Sequence, residues 1–305
     1  GAANPITFRF RIDVTEPAPA TPSGFGTVYS GTVTTANEEH RYTLEAPAGL
    51  RVFFDGIASD SYHFQARLLA PDGSVAIAWT GTNQDSPPTT LPQSGAYTLV
   101  VTSAQPGNYA LRLLNLTDAP PLVPGAQTTG TLDPGLGAAA YRIQATPGQR
   151  VFIDKLPGTS TVGHWTLYGP DNKQIDSEYG TVSLDATLPC AEPCVLVIAG
   201  NTAAPISYDF RATFPEDAFI PAQTDRAIAG SLASPGDRHV YLFSAASGDR
   251  IYLDGRAAAS PSIKGWLMRP TGGSISGTGA PLNLDPDPVT LPESGTYALL
   301  VHGGD

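Results

Sequence analysis

Charge is scarce in this chain. Asp, Glu, Lys and Arg together make up 15% of its 305 residues, and lysine appears only 3 times against 14 arginines. The charge present sums to −11, so phosphates would be repelled and nucleic acid is not expected as a partner. Long apolar runs are missing too. None approaches the stretch of about 18 residues that a membrane-spanning helix requires, so no membrane span is expected. Catalytic signatures are also lacking. "GGSISG" from Gly272 has the letters of a serine elbow in the wrong order and reads as a glycine-rich turn. Neither H-E-x-x-H nor a phosphate loop is present. No acid, base and nucleophile recur together, so no enzymatic activity is expected.

Glycine and proline are plentiful, at 32 and 29 residues, and Tyr, Phe, Val and Thr are frequent. Short strands joined by Gly/Pro turns fit that profile. The strongest feature is a threefold repeat. "YTLEAPAGLRVFFDG" from Tyr42, "YRIQATPGQRVFIDK" from Tyr141 and "YLFSAASGDRIYLDG" from Tyr241 align without gaps. Downstream, "PDG", "PDN" and "PTG" open at Pro71, Pro170 and Pro270. "LPQSGAYTLVV", "LPCAEPCVLVI" and "LPESGTYALLV" follow at Leu91, Leu188 and Leu291. A period near 100 is that of a whole domain rather than a solenoid coil. Each unit offers about seven or eight short strands with turn signals between them, which reads as an antiparallel sandwich. The expected fold is therefore all-β, with three tandem antiparallel β-sandwich domains of jelly-roll type. The expected boundaries are 23–121, 122–221 and 222–305, preceded by a strand and linker over 1–22.

On the quoted motifs the units resemble the bacterial pre-peptidase C-terminal domain. They share the Tyr after the first strand, the Gly-bounded second strand, the Pro-Asp-Gly turn and the Gly-x-Tyr strand. The resemblance covers nearly the whole chain and implies β-sandwich accessory modules of a secreted or cell-surface bacterial protein. Some family members bind matrix polymers, and some related modules bind calcium. Where the family often places acids before the Tyr, this chain has His40, Ala139 and His239.

The first strand raises a question of pairing. In "NPITFRFRID", Ile6, Phe8, Phe10, Ile12 and Val14 share one face, while Thr7, Arg9, Arg11 and Asp13 share the other. The stretch aligns with "GNYALRLLNL" and "APISYDFRAT", the closing strands of the first two units, each followed by a Pro-rich linker. The third unit runs through "LPESGTYALLVHGGD" without such a strand. The expectation is strand donation, with residues 4–14 of one molecule completing the third domain of the next in a head-to-tail homopolymer. The donor residues are Ile6, Phe8, Phe10, Ile12 and Val14. The acceptor edge is expected at Tyr297, Leu299 and Val301. Burying each donor side chain contributes ~1.5–3 kcal/mol, roughly 10 kcal/mol in all. Truncation of a longer array and closure within one chain are the alternatives. A binding module for a glycan or matrix ligand, cut from a larger secreted enzyme or adhesin, is the competing function.

Other candidates are weaker. Cys190 and Cys194 in "LPCAEPC" are expected to form a disulfide across a short turn in an oxidising compartment, with metal binding the alternative. No cofactor is expected. Calcium at Asp285 and Asp287 in "LDPDPV" lacks a ligand ladder, and a solvated acidic loop is the plainer reading. His40 and His239 read as strand-face polar residues. Arg51, Arg150 and Arg250, with Asp55, Asp154 and Asp254, read as cross-strand ion pairs or Asp-Gly turns. Trp79, Trp165 and Trp266 do not fall at matching positions and read as core or surface residues.

Overall fold

The computed structural model describes residues 21–156, 162–180, 182–189, 193–256, 258 and 262–303. Its elements are strands and turns. Among the described residues no helix is long and apolar enough to cross a membrane. The donor positions Ile6, Phe8, Phe10, Ile12 and Val14 lie outside the described residues, as does Cys190.

The first sandwich pairs a five-stranded with a four-stranded sheet. The first sheet runs in the order β1 (Thr21–Ser23), β3 (Glu39–Ala46), β8 (Gly95–Ser103), β5 (Phe64–Leu69), β6 (Val75–Gly81). The second runs β2 (Val28–Val33), β9 (Gly107–Asn115), β4 (Arg51–Ser59), β7 (Ser86–Thr90). The second sandwich repeats this plan. One sheet is β11 (Ala138–Ile143), β16 (Cys194–Ala199), β13 (Val162–Tyr168), β14 (Gln174–Gly180). The other is β10 (Gln127–Leu132), β17 (Ile206–Thr213), β12 (Arg150–Lys155), β15 (Leu184–Thr187). In both, the closing strand, β9 or β17, is an inner strand of its sheet.

The third sandwich has a complete first sheet, in the order β18 (Asp217–Pro221), β19 (Arg238–Ala245), β24 (Gly295–Gly303), β21 (Ile263–Met268), β22 (Ala280–Pro281). Its second sheet, among the described residues, is only β20 (Arg250–Ile251) paired with β23 (Val289–Thr290).

Alternation builds these elements. Along β8, Tyr97, Leu99 and Val101 face the core and are buried. The repeated glycine ahead of the second strand has a backbone reason. Gly49, Gly148 and Gly248 sit at φ 85°, 82° and 92°, where a side chain would be strained. Each donates its N–H to the carbonyl of Leu91, Leu188 or Leu291 at 2.8 Å, which ties the two most regular sequence landmarks of the repeat together. The "PDG" turn holds Gly73 at φ 82°, and "PDN" holds Asn172 at φ 65°.

The Pro-rich linkers carry structure of their own. β1 pairs parallel with β3 (Thr21 opposite Tyr42), and β18 pairs parallel with β19 (Ile220 opposite Tyr241). Each linker therefore ends as a parallel edge strand on the next sandwich, in sheets otherwise antiparallel. Strand pairing thus joins Asp217–Pro221 to the third sandwich.

Gly1–Asn115 and Leu116–Asp305 form two compact units. In the second, Asp217 bonds Arg238 of β19 and lies 3.4 Å from Arg150 of β12. Arg150 also grips Asp185 with Nε and Nη2 at 2.7 and 2.6 Å. Arg150 is buried. Arg150 therefore serves the junction between the second and third sandwiches, while the repeated aspartate has a different partner, described below.

A buried tyrosine pins the loop before β8. Tyr97 donates to the Gln93 carbonyl at 2.8 Å and accepts from the Gln93 N–H at 3.0 Å. Tyr297 does the same with Glu293. Cys194 stands in the corresponding place in the second sandwich and is buried. Tyr97→Phe removes both bonds and leaves two backbone groups short of a partner. It is expected to lower unfolding stability by about 1–3 kcal/mol, measured by urea denaturation.

Candidate assembly interface

The repeat allows the three second sheets to be compared position by position. In the first sandwich β9 is hydrogen-bonded to β2 on one flank and β4 on the other. In the second, β17 is held the same way by β10 and β12. In the third, among the described residues, β20 pairs with β23 alone. The stretch over 227–232, which corresponds to β2, contains no strand.

Side chains record the difference. Tyr29 of β2 is 1% exposed, and its counterpart Ile228 is 47% exposed. Phe53 of β4 is 2% exposed, and its counterpart Tyr252 is 53% exposed. Leu284, on the loop beside Gly255, is also exposed. Leu99 is fully buried while its counterpart Leu299 is only partly so. Tyr29 belongs to the first core, so Ile228 stands at a core position, and Leu299 lies on the inward face of β24; Phe53 and Tyr252 lie on the other face of their strands, and Gln84, the counterpart of Leu284, is itself exposed.

The expected acceptor edge needs correcting. Tyr297, Leu299 and Val301 lie on β24, which is bonded to β19 on one side and β21 on the other. It is an inner strand of the complete sheet, with no free backbone edge to offer. Among the described residues, the flank without a partner strand lies across the core, beside β20. Tyr297, Leu299 and Val301 supply the floor facing that position, because alternate residues of β24 point inward.

A cleft of ≈ 600 Å³ marks one end of the open side, lined by residues that include Ile220, Arg226, Ile228, Gly230, His239 and Tyr241. The corresponding region of the first sandwich is filled by the closing strand. There Tyr109 shares a 2.6 Å hydrogen bond with Tyr42 and lies 2.7 Å from His40 Nδ1. In the second sandwich Tyr208 and Tyr141 share a 2.7 Å bond. Burial, then the bond to the partner tyrosine, raises the pKa of both Tyr109 and Tyr208. A glycine makes room for this close approach. A Cβ on Gly31 would lie 2.8 Å from the Tyr109 hydroxyl, and Gly130 meets Tyr208 in the same way. In the third sandwich Tyr241 turns to His239 Nδ1 at 3.1 Å, and its own hydroxyl fills the space over Gly230.

The repeated aspartate follows the same division. Asp55 is fully buried and stands opposite Arg112 of the closing strand, with Nε and Nη2 at 2.9 and 2.6 Å from Oδ2. Asp154 stands opposite Arg211 in the second sandwich. Asp254 is exposed and bonds Arg256 on its own segment at 2.9 Å. The expectation of a cross-strand ion pair thus holds in the first sandwich, with its partner on the closing strand, which has no counterpart among the described residues of the third sandwich.

Asp285, expected as a solvated loop residue, is exposed but caps the chain, accepting the Gly255 N–H at 2.8 Å. Its bond from Tyr252, then that from Gly255, hold its carboxyl below the usual range. The counterpart Asp85 accepts the Gly56 N–H at 2.9 Å. There, burial of the carboxyl and then the charge of Asp55 push it up to about 7. Among the described residues, no group of three or more His, Cys, Asp and Glu is placed to hold a metal ion. Trp165 is core, Trp79 is exposed under Arg67, and Trp266 stacks on His302 at 4.5 Å.

No protein-family model matches the chain, and no curated protein matches it. Solved structures give distant likenesses. The CUB1-EGF-CUB2 domain of human MASP-1/3 is 10% identical with a TM-score of 0.18, covering 60% of this chain and 99% of that one. The N-terminal CBM22-1-CBM22-2 tandem domain from Paenibacillus barcinonensis Xyn10C is 10% identical with a TM-score of 0.19, covering 62% and 92%. The full extracellular region of zebrafish Gpr126/Adgrg6 is 10% identical with a TM-score of 0.19, covering 94% and 53%. Such values assign no function.

The Asp85 site carries a pH signature. The folded protein holds this proton more tightly than the unfolded chain, whose aspartate titrates near 3.8. Stability from this group is therefore full at low pH, falls as pH rises towards about 7 and is level above that. Asp85 is an exposed residue, so solvent screens part of the effect. Asp85→Asn keeps the acceptor for Gly56 and removes the ionisation. Its urea midpoint is expected to match that of the wild type at pH 3, below the unfolded value, and to exceed it increasingly from there up to about pH 7 and at pH 8.

Proposed function

We propose that the chain is a structural subunit that joins its neighbours head to tail. Residues 4–14 of one molecule supply the missing inner strand of the third sandwich of the next. The observation behind this reading is the second sheet of that sandwich. Among the described residues it has two two-residue strands where the other sandwiches have four full strands, and Ile228, at a core position, is exposed. Ile6, Phe8, Phe10 and Ile12 are the plugs. The match between Pro5–Arg11, "PITFRFR", and Pro205–Arg211, "PISYDFR", supports the choice of occupant. The second of these is the core of β17, which fills the equivalent place in its own sandwich.

Energetics favour such a joint. The inserted strand would bury its own apolar face and the exposed residues of the acceptor, and would satisfy the backbone groups of β20 on its open flank. The contact is heterologous, so it extends into a filament unless a ring closes. The likeness of the units to pre-peptidase C-terminal domains belongs to the same reading, with a filament or stalk outside a bacterial cell as the setting.

Sedimentation velocity on the full chain tests the proposal. The wild type is expected to form concentration-dependent polymers, and a variant lacking residues 1–14 to remain monomeric. A Phe8→Ala/Phe10→Ala variant, which keeps the chain length, is expected to weaken association at least tenfold, from the loss of two buried aromatic side chains. A wild type that is monomeric at every concentration overturns the proposal and favours a binding module or completion of the sandwich by further chain.

A further inference from the structure

We propose that Asp254 is the register lock of this joint and that its partner is Arg11 of the inserted strand. The inference rests on the strand-donation reading above and names the residue pair that fixes how the strand sits.

The apolar face of the donor does not fix register alone. Ile6, Phe8, Phe10, Ile12 and Val14 alternate without interruption, so a slip of two residues still points large apolar groups at the core. A specific polar pair is what separates one register from the next. The complete sandwiches place such a pair at one ladder position. Asp55 stands opposite Arg112 in the first, bound by two hydrogen bonds, and Asp154 stands opposite Arg211 in the second. Asp254 occupies the same position in the third, four residues beyond Arg250, as Asp55 is beyond Arg51 and Asp154 beyond Arg150. Its present partner, Arg256, is an exposed neighbour on the same segment, and a pair of that kind is easily exchanged.

Matching "PITFRFR" to "PISYDFR" puts Arg11 where Arg211 stands. The same register puts Phe8 where Tyr208 stands and Phe10 where Phe210 stands. In the second sandwich Tyr141 packs edge-on against both of those rings, at 6.3 and 5.7 Å. Tyr241, the counterpart of Tyr141, lines the open cleft. Phe8 carries no hydroxyl, unlike Tyr109 and Tyr208, and Tyr241 already has His239 as a hydrogen-bond partner. The receiving site is thus satisfied for polar groups at its aromatic end and offers a carboxylate at its ionic end. Covered by the strand, that carboxylate would be enclosed as Asp55 is, where an unmatched charge is costly and a matched arginine is selective.

Arg9 shares the outer face two residues away and is the rival partner for a slipped strand. Charge reversal separates the two. Full-length Arg11→Asp and Asp254→Arg variants, each alone, are expected to associate at least tenfold more weakly than wild type, within the range for breaking an enclosed interfacial pair. Mixed in equal amounts they are expected to regain association. One joint then carries the reversed pair and the other the native pair. Arg9→Asp alone is expected to polymerise like the wild type. Asp254 is exposed, so its reversal leaves the fold of the isolated chain intact, which circular dichroism and the urea midpoint verify.

If deletion of residues 1–14 abolishes polymers but neither reversal weakens them, the lock is wrong and strand donation stands. The lock is equally wrong if Arg9→Asp loses association and is rescued by Asp254→Arg. If deletion of residues 1–14 has no effect, strand donation itself fails and the lock with it.

Discussion

In the first sandwich β9 is bonded along both flanks, to β2 and to β4, and its inward residues Tyr109, Leu111 and Leu113 are buried in the core. That inner strand is what the second sheet is organised around. Without it β2 has no partner, β4 keeps only β7, and the inward faces of both strands meet solvent. The third sandwich displays this consequence. The stretch corresponding to β2 forms no strand, and the stretch corresponding to β4 shrinks to Arg250–Ile251. With no such inner strand among the described residues, Ile228 is exposed, Leu299 is only partly buried and a cleft lies beside Tyr241. The complete sheet of the same sandwich is untouched, since its ladder is closed by its own strands.

The repeat supplies a physical control. Asp55 and Asp254 are the same letter at the same place in nearly the same local sequence. One is fully buried against Arg112 and the other is exposed and bound to its own neighbour Arg256. Asp85 and Asp285 likewise both cap a glycine N–H, yet one carboxyl is pushed up by burial and a second carboxylate, and the other is held down by its hydrogen bonds. The difference comes from what covers the strand. Burial disfavours the charged form of a carboxyl, and hydrogen bonds to the charged form favour it.

Much of this architecture could be read from the residues. The three modules, the turns at Gly73 and Asn172 and the inward alternation of β8 follow from period-two patterning and from the demand for positive φ. The landmark glycines and leucines also turn out to be bonded to each other. The acceptor position was harder to read. Tyr297, Leu299 and Val301 read as the edge because the equivalent stretch of the first sandwich, β8, directly precedes its closing strand β9. In the first two sandwiches, however, β8 and β9, like β16 and β17, lie in opposite sheets, so the strand that follows in sequence is the partner across the core. "DAFIP" looks like a spacer, yet it pairs parallel to β19 because backbone groups bond whatever the side chains.

Two levels of specification therefore separate cleanly. Composition, spacing and the repeat settle that the chain is all-β and modular and where its closing strands lie, because side-chain alternation and backbone-permitted turns are local properties. Which strand lies beside which, that β24 is interior, that Asp55 meets Arg112 and that the open place is at β20 are set by folding. These depend on residues far apart in the chain meeting across a sheet or a core, and on whether solvent is excluded there, which no local pattern encodes.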